Sequence, residues 1–165
     1  SKTMGGGVPV SALVTTDAIE NDVVEKGFFM RTSHMGDPLT AAAGLAVLDV
    51  IQNEHLVEQA KVKGQYLKNK LLELKEMHPI IGDVRGRGLL LGIEFVKDPI
   101  SKERAVVEAE RITAACLDMG LLIDAPGGAK KGQALWRIAP PITISYNQMD
   151  SAVDIIDKAI NLSCS

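Results

Sequence analysis

The chain has 165 residues, 46% hydrophobic and 24% charged, with a net charge of -3, a globular profile with length enough to bury a core. Aromatics at 4%, with Lys and Arg scattered, supply neither stacking platforms nor a basic stripe, which argues against a nucleic-acid binder. No apolar run approaches the ~20 residues that cross a bilayer, the opening does not read as a secretory leader, and Cys116 and Cys164 fit no metal or disulfide spacing, so a reduced cytoplasmic or organellar setting is expected.

The chain opens Ser1-Lys2-Thr3 and runs at once into Gly5-Gly6-Gly7. A domain rarely begins on a glycine turn, so the expectation is a piece of a longer protein whose N-terminal part lies upstream. Residues 8–14 are a short, β-branched apolar run that predicts a strand. Asp17, with Glu20 three residues on, predicts a helix N-cap, and Gly27 the end of that helix. Residues 28–36 read as loop. Asp37-Pro38 predicts the next helix start, a capping carboxylate before a proline at the first helical position. Residues 39–52 are apolar on nearly all sides, which predicts burial on nearly all sides. A second helix over 54–77 carries one stripe, Leu56, Ala60, Leu67, Leu71 and Leu74, with its charges left in water.

Pro79 ends that helix and the pattern changes. Residues 80–84 and 89–96 read as strands around Arg85-Gly86-Arg87-Gly88, then come a helix over 102–118 and a strand at 121–123. After Gly127-Gly128 a strand is expected at 135–139, and Ser145 caps a last helix over 148–160. Helices on one face of a small, mainly antiparallel sheet satisfy this order.

Several motifs have plain readings. Gly86-x-Gly88-x-x-x-Gly92 is spaced loosely like a dinucleotide fingerprint, but strand residues follow where a helix N-terminus is needed, so a tight hairpin is the better reading. The Gly5–Gly7 run lacks the Gly-Lys-Ser/Thr ending of a nucleotide phosphate loop; beside Lys2 it instead lets a cofactor approach closely. His34, His55 and His78 share no metal-binding spacing. His55 and His78 read as solvated, whereas His34 sits in a loop with Ser33 and Asp37. Lys130 and Lys131 read as solvated, and Lys2 by itself would be a surface lysine.

Taken in order, the blocks Ser1-Lys2-Thr3-Met4-Gly5-Gly6-Gly7-Val8-Pro9, Thr32-Ser33-His34-Met35-Gly36-Asp37-Pro38-Leu39, Ile81-Gly82-Asp83-Val84-Arg85-Gly86-Arg87-Gly88-Leu89-Leu90-Leu91-Gly92-Ile93-Glu94 and Arg137-Ile138-Ala139-Pro140-Pro141 resemble class-III, fold-type-I pyridoxal-phosphate aminotransferases. Within that family they look most like the 2,2-dialkylglycine decarboxylase branch. The resemblance implies an α/β architecture equivalent to the C-terminal half of such an enzyme. Residues 1–50 would be the end of the large cofactor-binding domain and its connecting helix. Residues 51–165 would be the small C-terminal α/β domain.

The resemblance also implies roles. Lys2 would join pyridoxal 5'-phosphate as a Schiff base and move protons, work that needs an amine made neutral by desolvation and nearby positive charge. The pyridine ring would act as electron sink. Thr32 and Ser33 would bind the cofactor, Ser33 donating to its phosphate across a homodimer interface. Asp37, standing where most relatives carry Asn, would join Ser33 and the carbonyl of Met35 around an alkali-metal ion; alternatively Asp37 only caps its helix. Arg137 would grip the substrate α-carboxylate as a two-pronged fork, or pair with a core carboxylate. Arg31 departs from the decarboxylase pattern and puts the substrate in question. The family's ring-stacking aromatic, its pyridine-nitrogen aspartate and its glycine-rich phosphate turn precede the lysine and are absent from this sequence. The expected activity of the full-length parent is amino transfer, with or without decarboxylation, between an amino acid or amine and a 2-oxo acid. The alternatives are an inactive module that dimerises or binds a partner, and an aminomutase.

Overall fold

Two units divide the chain between Leu56 and Val57 in the computed structural model, which describes residues 2–29, 32–123 and 133–163. Arg31, Gly127-Gly128, Lys130, Lys131 and Cys164, each singled out in the sequence, lie outside the described residues.

The first unit begins with a short 3-10 helix, Lys2–Gly5, followed by α1 (Asp17–Glu25) and α2 (Pro38–Asn53). The cap of α1 is Thr16, one residue before the expected Asp17: its Oγ1 accepts from the Ile19 N–H at 3.4 Å, leaving Asp17 in the first turn, where negative charge faces the helix dipole favourably. Gly27 closes the helix at φ +71°. Residues 9–16 do not form the expected strand. A strand is stable only when a neighbour takes its backbone hydrogen bonds; no strand among the described residues pairs with 9–16, and Leu13 and Val14 are each 92% exposed. The burial expected of α2 is also overturned. Only Gly44 is buried on that helix, while Leu39, Leu45, Leu48 and Val50 stand exposed. Apolarity creates a demand for cover; it does not supply the covering surface.

The second unit runs through α3 (Leu56–Met77), β1 (Ile81–Arg87), β2 (Leu90–Phe95), α4 (Val106–Asp118), β3 (Leu135–Ile138) and α5 (Tyr146–Ser163). The three strands form one antiparallel sheet in the order β1-β2-β3. This matches the expected small antiparallel α/β arrangement. A bulge between Ile81 and Asp83 turns Ile81 and Val84 to the same face, which straight two-residue alternation would forbid. Across that face Val84, Ile93 and Trp136 lie in register and are all buried.

Every strongly buried apolar side chain among the described residues falls between Leu67 and Ile160. Leu67, Leu71 and Leu74 of α3, Ala109, Ile112 and Cys116 of α4, and Met149, Val153, Ile156 and Ile160 of α5 close over the sheet. Trp136 is locked in place: its Nε1 donates to Thr113 Oγ1 at 2.8 Å, and its ring meets Phe95 edge-on at 4.6 Å, an arrangement that suits aromatic quadrupoles.

The hairpin reading of the glycine motif holds. Arg87 pairs with Leu90 across Gly88-Leu89, with Gly88 at φ +55°. A Cβ on Gly64 of α3 would come within 2.1 Å of the Gly88 carbonyl carbon, so helix and hairpin tip pass backbone to backbone. The expected strand at 121–123 does not form, for a legible reason. Gly120 N–H bonds to Leu117 O and Leu121 N–H to Cys116 O, with Gly120 at φ +88°; this is a Schellman ending, and it consumes the donor a strand would need. The helix expected from 102 begins at Val106, because Asp98 Oδ1 accepts from the Ile100 and Ser101 N–H groups and holds that stretch in a turn. Ser145 caps α5 as expected, in a reciprocal box: its Oγ accepts from Gln148 N–H at 3.2 Å and Gln148 Oε1 accepts from Ser145 N–H at 2.9 Å. His78 is not solvated. It is largely buried, with Nε2 2.6 Å from Asp157 of α5. Among the described residues no helix is long and apolar enough to cross a membrane.

Candidate active site

The expected site residues fall in both units. In residues 1–56 the backbone of Lys2 opens the 3-10 helix; its side chain lies outside the described atoms. The helix turns back on itself through Gly6 N–H to Thr3 O at 3.1 Å and Val8 N–H to Gly5 O at 3.0 Å. Gly6 and Gly7 sit at φ +58° and +111°, where L side chains are strained. A Cβ on Gly6 would press within 3.2 Å of Val47 of α2, whereas one on Gly7 would meet nothing within 4 Å. The glycine run that begins three residues after Lys2 therefore presents bare backbone, with open space at Gly7. The Gly7 backbone is thus open to close approach by a flat group.

The turn before α2 gathers the second group. Met35 N–H bonds to Thr32 O at 3.2 Å, Gly36 completes the turn at φ +79°, and Thr32 and Ser33 are exposed. Two hydroxyls on an open turn are available as donors to a phosphate. Asp37 occupies the N-cap position of α2 but makes no side-chain cap, contrary to the capping expected of it. Its Oδ2 lies 2.7 Å from His34 Nδ1, while its backbone carbonyl accepts from Thr40 Oγ1 and Ala41 N–H. The carboxylate expected to join Ser33 and the Met35 carbonyl around an alkali-metal ion thus lies against His34 through Oδ2. Among the described residues no three His, Cys, Asp or Glu side chains gather around a metal site.

In the second unit Arg137 stands exposed on β3, on the sheet face opposite Trp136. Its position follows from strand alternation: Trp136 and Ile138 turn toward the core and Arg137 away from it. In register across the same face lie Gly92 and Arg85, and the adjacent row is Leu135, Glu94 and Asp83. Arg85 Nη1 donates to Asp83 Oδ2 at 2.6 Å and to Glu94 Oε2 at 2.8 Å. The two carboxylates raise the Arg85 pKa, Glu94 most, and the guanidinium holds the Asp83 carboxyl below its ordinary 3.8. Arg85, Glu94 and Asp83 carried no functional reading in the sequence. The signal was present in the two-residue alternation, but which arginine faces which carboxylate depends on register.

The class-III aminotransferase family model matches residues 1–160. The chain belongs to the class-III aminotransferases. It is 37% identical over 163 residues to an uncharacterized aminotransferase of Schizosaccharomyces pombe, covering 99% of this chain and 36% of that protein. It is equally 37% identical, over 165 residues, to an (R)-1-hydroxy-2-aminoethylphosphonate ammonia-lyase of Vibrio splendidus, covering 99% of this chain and 33% of the relative. Among solved structures, an Arthrobacter phospholyase in complex with phosphoethanolamine superposes with a TM-score of 0.83 at 28% identity, over 97% of this chain and 37% of that one. The chain spans about a third of the length of the curated relatives it matches. Class-III aminotransferases use pyridoxal phosphate, and the small antiparallel sheet belongs to their fold-type-I architecture.

Proposed function

We propose that the full-length protein is a pyridoxal-phosphate aminotransferase that moves an amino group between an amino acid or amine and a 2-oxo acid. The observation that carries this reading is the exposed Arg137, set beside the side-chain-free Gly92 on the open sheet face, in a chain whose other end offers Lys2 three residues before bare glycine backbone. A planar guanidinium on a flat bed suits a carboxylate, because two parallel hydrogen bonds fix direction as well as charge. Bound, pyridoxal phosphate supplies an aldehyde that condenses with amines and a ring that takes up the electron pair released at the substrate α carbon.

The protein's own groups do the rest. Lys2 would hold the cofactor through its amine and would move the proton at the substrate α carbon. Thr32 and Ser33 hold the phosphate with their hydroxyls, and Arg137 sets the angle at which the α carbon is presented. That angle selects the bond that breaks, so a displaced carboxylate turns amino transfer into decarboxylation, the finer possibility that Asp37 raised. The exposed apolar side chains of α2 and residues 13–14 would be covered by the remainder of the full-length enzyme and by a second subunit sharing its active sites.

The test is the absorption spectrum of the full-length protein. A visible band should appear that Lys2→Ala abolishes together with activity, and borohydride should fix the cofactor mass on the Lys2 peptide. A colourless protein, or a band that survives Lys2→Ala, would sink the reading. A second reading, elimination from a phosphorylated or phosphonated amine, is favoured by the two lyases among the similar proteins. Product analysis separates the two: transfer needs a 2-oxo acid acceptor, whereas elimination releases ammonia without one.

A further inference from the structure

On the core side of β3, behind Arg137, a short polar chain runs through a core built of apolar side chains. Trp136 is 1% exposed, and its Nε1 donates to Thr113 Oγ1 of α4 at 2.8 Å. Thr113 spends its own proton on the Ala109 carbonyl at 2.6 Å, so its oxygen meets the indole only as an acceptor. Phe95 stands edge-on to the same ring at 4.6 Å. The indole is thus held at its edge by a hydrogen bond and across its face by packing.

The strand itself supplies less restraint. It is four residues long and pairs with β2 alone, and Pro140 and Pro141 beyond it have no N–H to extend the ladder. Backbone hydrogen bonds fix one edge of such a strand, and side-chain packing sets its roll about its own axis. Trp136 and Arg137 are neighbours on opposite faces, so a roll that swings the indole swings the guanidinium the other way. We propose that Thr113 is a positioning residue: through the Trp136 indole it fixes the direction in which β3 presents Arg137 to a substrate carboxylate. That direction matters even though the guanidinium is also engaged inside the protein, because a fork grips two oxygens only when its plane is aligned with them. The proposal rests on the reading of Arg137 as the carboxylate-binding residue.

The experiment uses the full-length holoenzyme, with the protein amino acid it turns over best and the decarboxylated amine of that amino acid as paired donors. Thr113→Val keeps the side-chain shape and removes the acceptor. It should raise KM for the amino acid about tenfold, the effect of weakening one hydrogen bond to a charged group, and leave the KM for the amine in place. Thr113→Ser keeps the acceptor and should restore the amino-acid KM. Trp136→Phe removes the donor instead, and adding Thr113→Val to it should raise that KM no further, because partners in one hydrogen bond do not act additively. A merely structural defect would lower the urea midpoint and move both donors alike. An amino-acid KM unchanged in Thr113→Val and Trp136→Phe, or KM values that rise equally for amino acid and amine, overturns the proposal; should Thr113→Val fail to fold, Trp136→Phe decides between the same two results. Arg137→Leu separates the two levels. If it raises KM for the amino acid and Thr113→Val does not, the positioning role alone fails; if it leaves that KM unchanged, the carboxylate reading fails and the proposal with it.

Discussion

Residues 1–56 and 57–163 are built from similarly apolar sequence, yet one leaves its apolar side chains in solvent and the other buries them. Leu71 of α3 is fully buried, whereas Leu45 of α2 is 63% exposed, although both are leucines on long helices. The difference lies in what stands opposite. Facing α3 are a three-stranded sheet and two more helices from the same stretch of chain. Facing the outer surface of α2, nothing among the described residues does the same work. Hydrophobicity measures the gain available on burial; geometry decides whether it is collected.

The comparison can be broken most directly by matched truncations. Leu71→Ala should destabilise the chain by about 2–5 kcal/mol, the transfer and cavity cost of a buried leucine. Leu45→Ala should stay within about 0.5 kcal/mol, as exposed positions do. Urea midpoints for the two variants suffice, and equal losses would mean that the first unit has a core after all.

The next effect comes from Cys116, on the buried face of α4, where burial pushes its thiol up from 9.0 to about 11. The folded chain keeps its proton after the unfolded chain has begun to shed it. The contribution of Cys116 is therefore intact below the unfolded value and is lost as pH rises through the folded one, by about 2–3 kcal/mol. The stability difference between wild type and Cys116→Val, followed across that alkaline window, should show the loss in wild type alone. A flat difference would put the thiol in contact with water.

The smallest effect sharpens the contrast between core and outer face. Asp83, held by Arg85, has its carboxyl pKa lowered. Its contribution is present above the ordinary carboxylate value and is lost as pH falls below it. Because the pair is exposed to screening, Arg85→Leu should cost only about 0.2–1 kcal/mol at neutral pH and nothing further in strong acid. Thermal unfolding at the two pH values measures this, and a larger cost would make Arg85 structural.

Much of the fold was legible. The α3 stripe at Leu67, Leu71 and Leu74, the β1-β2 hairpin and the Ser145 cap all rest on local chemistry, in helical period, glycine backbone freedom and a side-chain oxygen three residues from its donor. The failures share one cause. Strands at 8–14 and 121–123 were expected from composition, but a strand needs a partner for its amides: the first has none among the described residues, and Leu121 spends its N–H closing α4. Around the candidate site, the glycine turn at Gly6 and Gly7 and the loop carrying Thr32 and Ser33 could be read from local composition. Asp37 could not, because whether its carboxylate caps a helix or meets His34 depends on a turn three residues long.

The sequence alone settled the family and most of the element types, since ordered motifs and hydrophobic period are properties of neighbouring residues. Only the tertiary structure decided that Arg85, Gly92 and Arg137 share a row and that Glu94 sits diagonal to both arginines. Register joins residues more than forty positions apart, and a slip of one residue would have turned Arg137 into the core and Trp136 into the solvent.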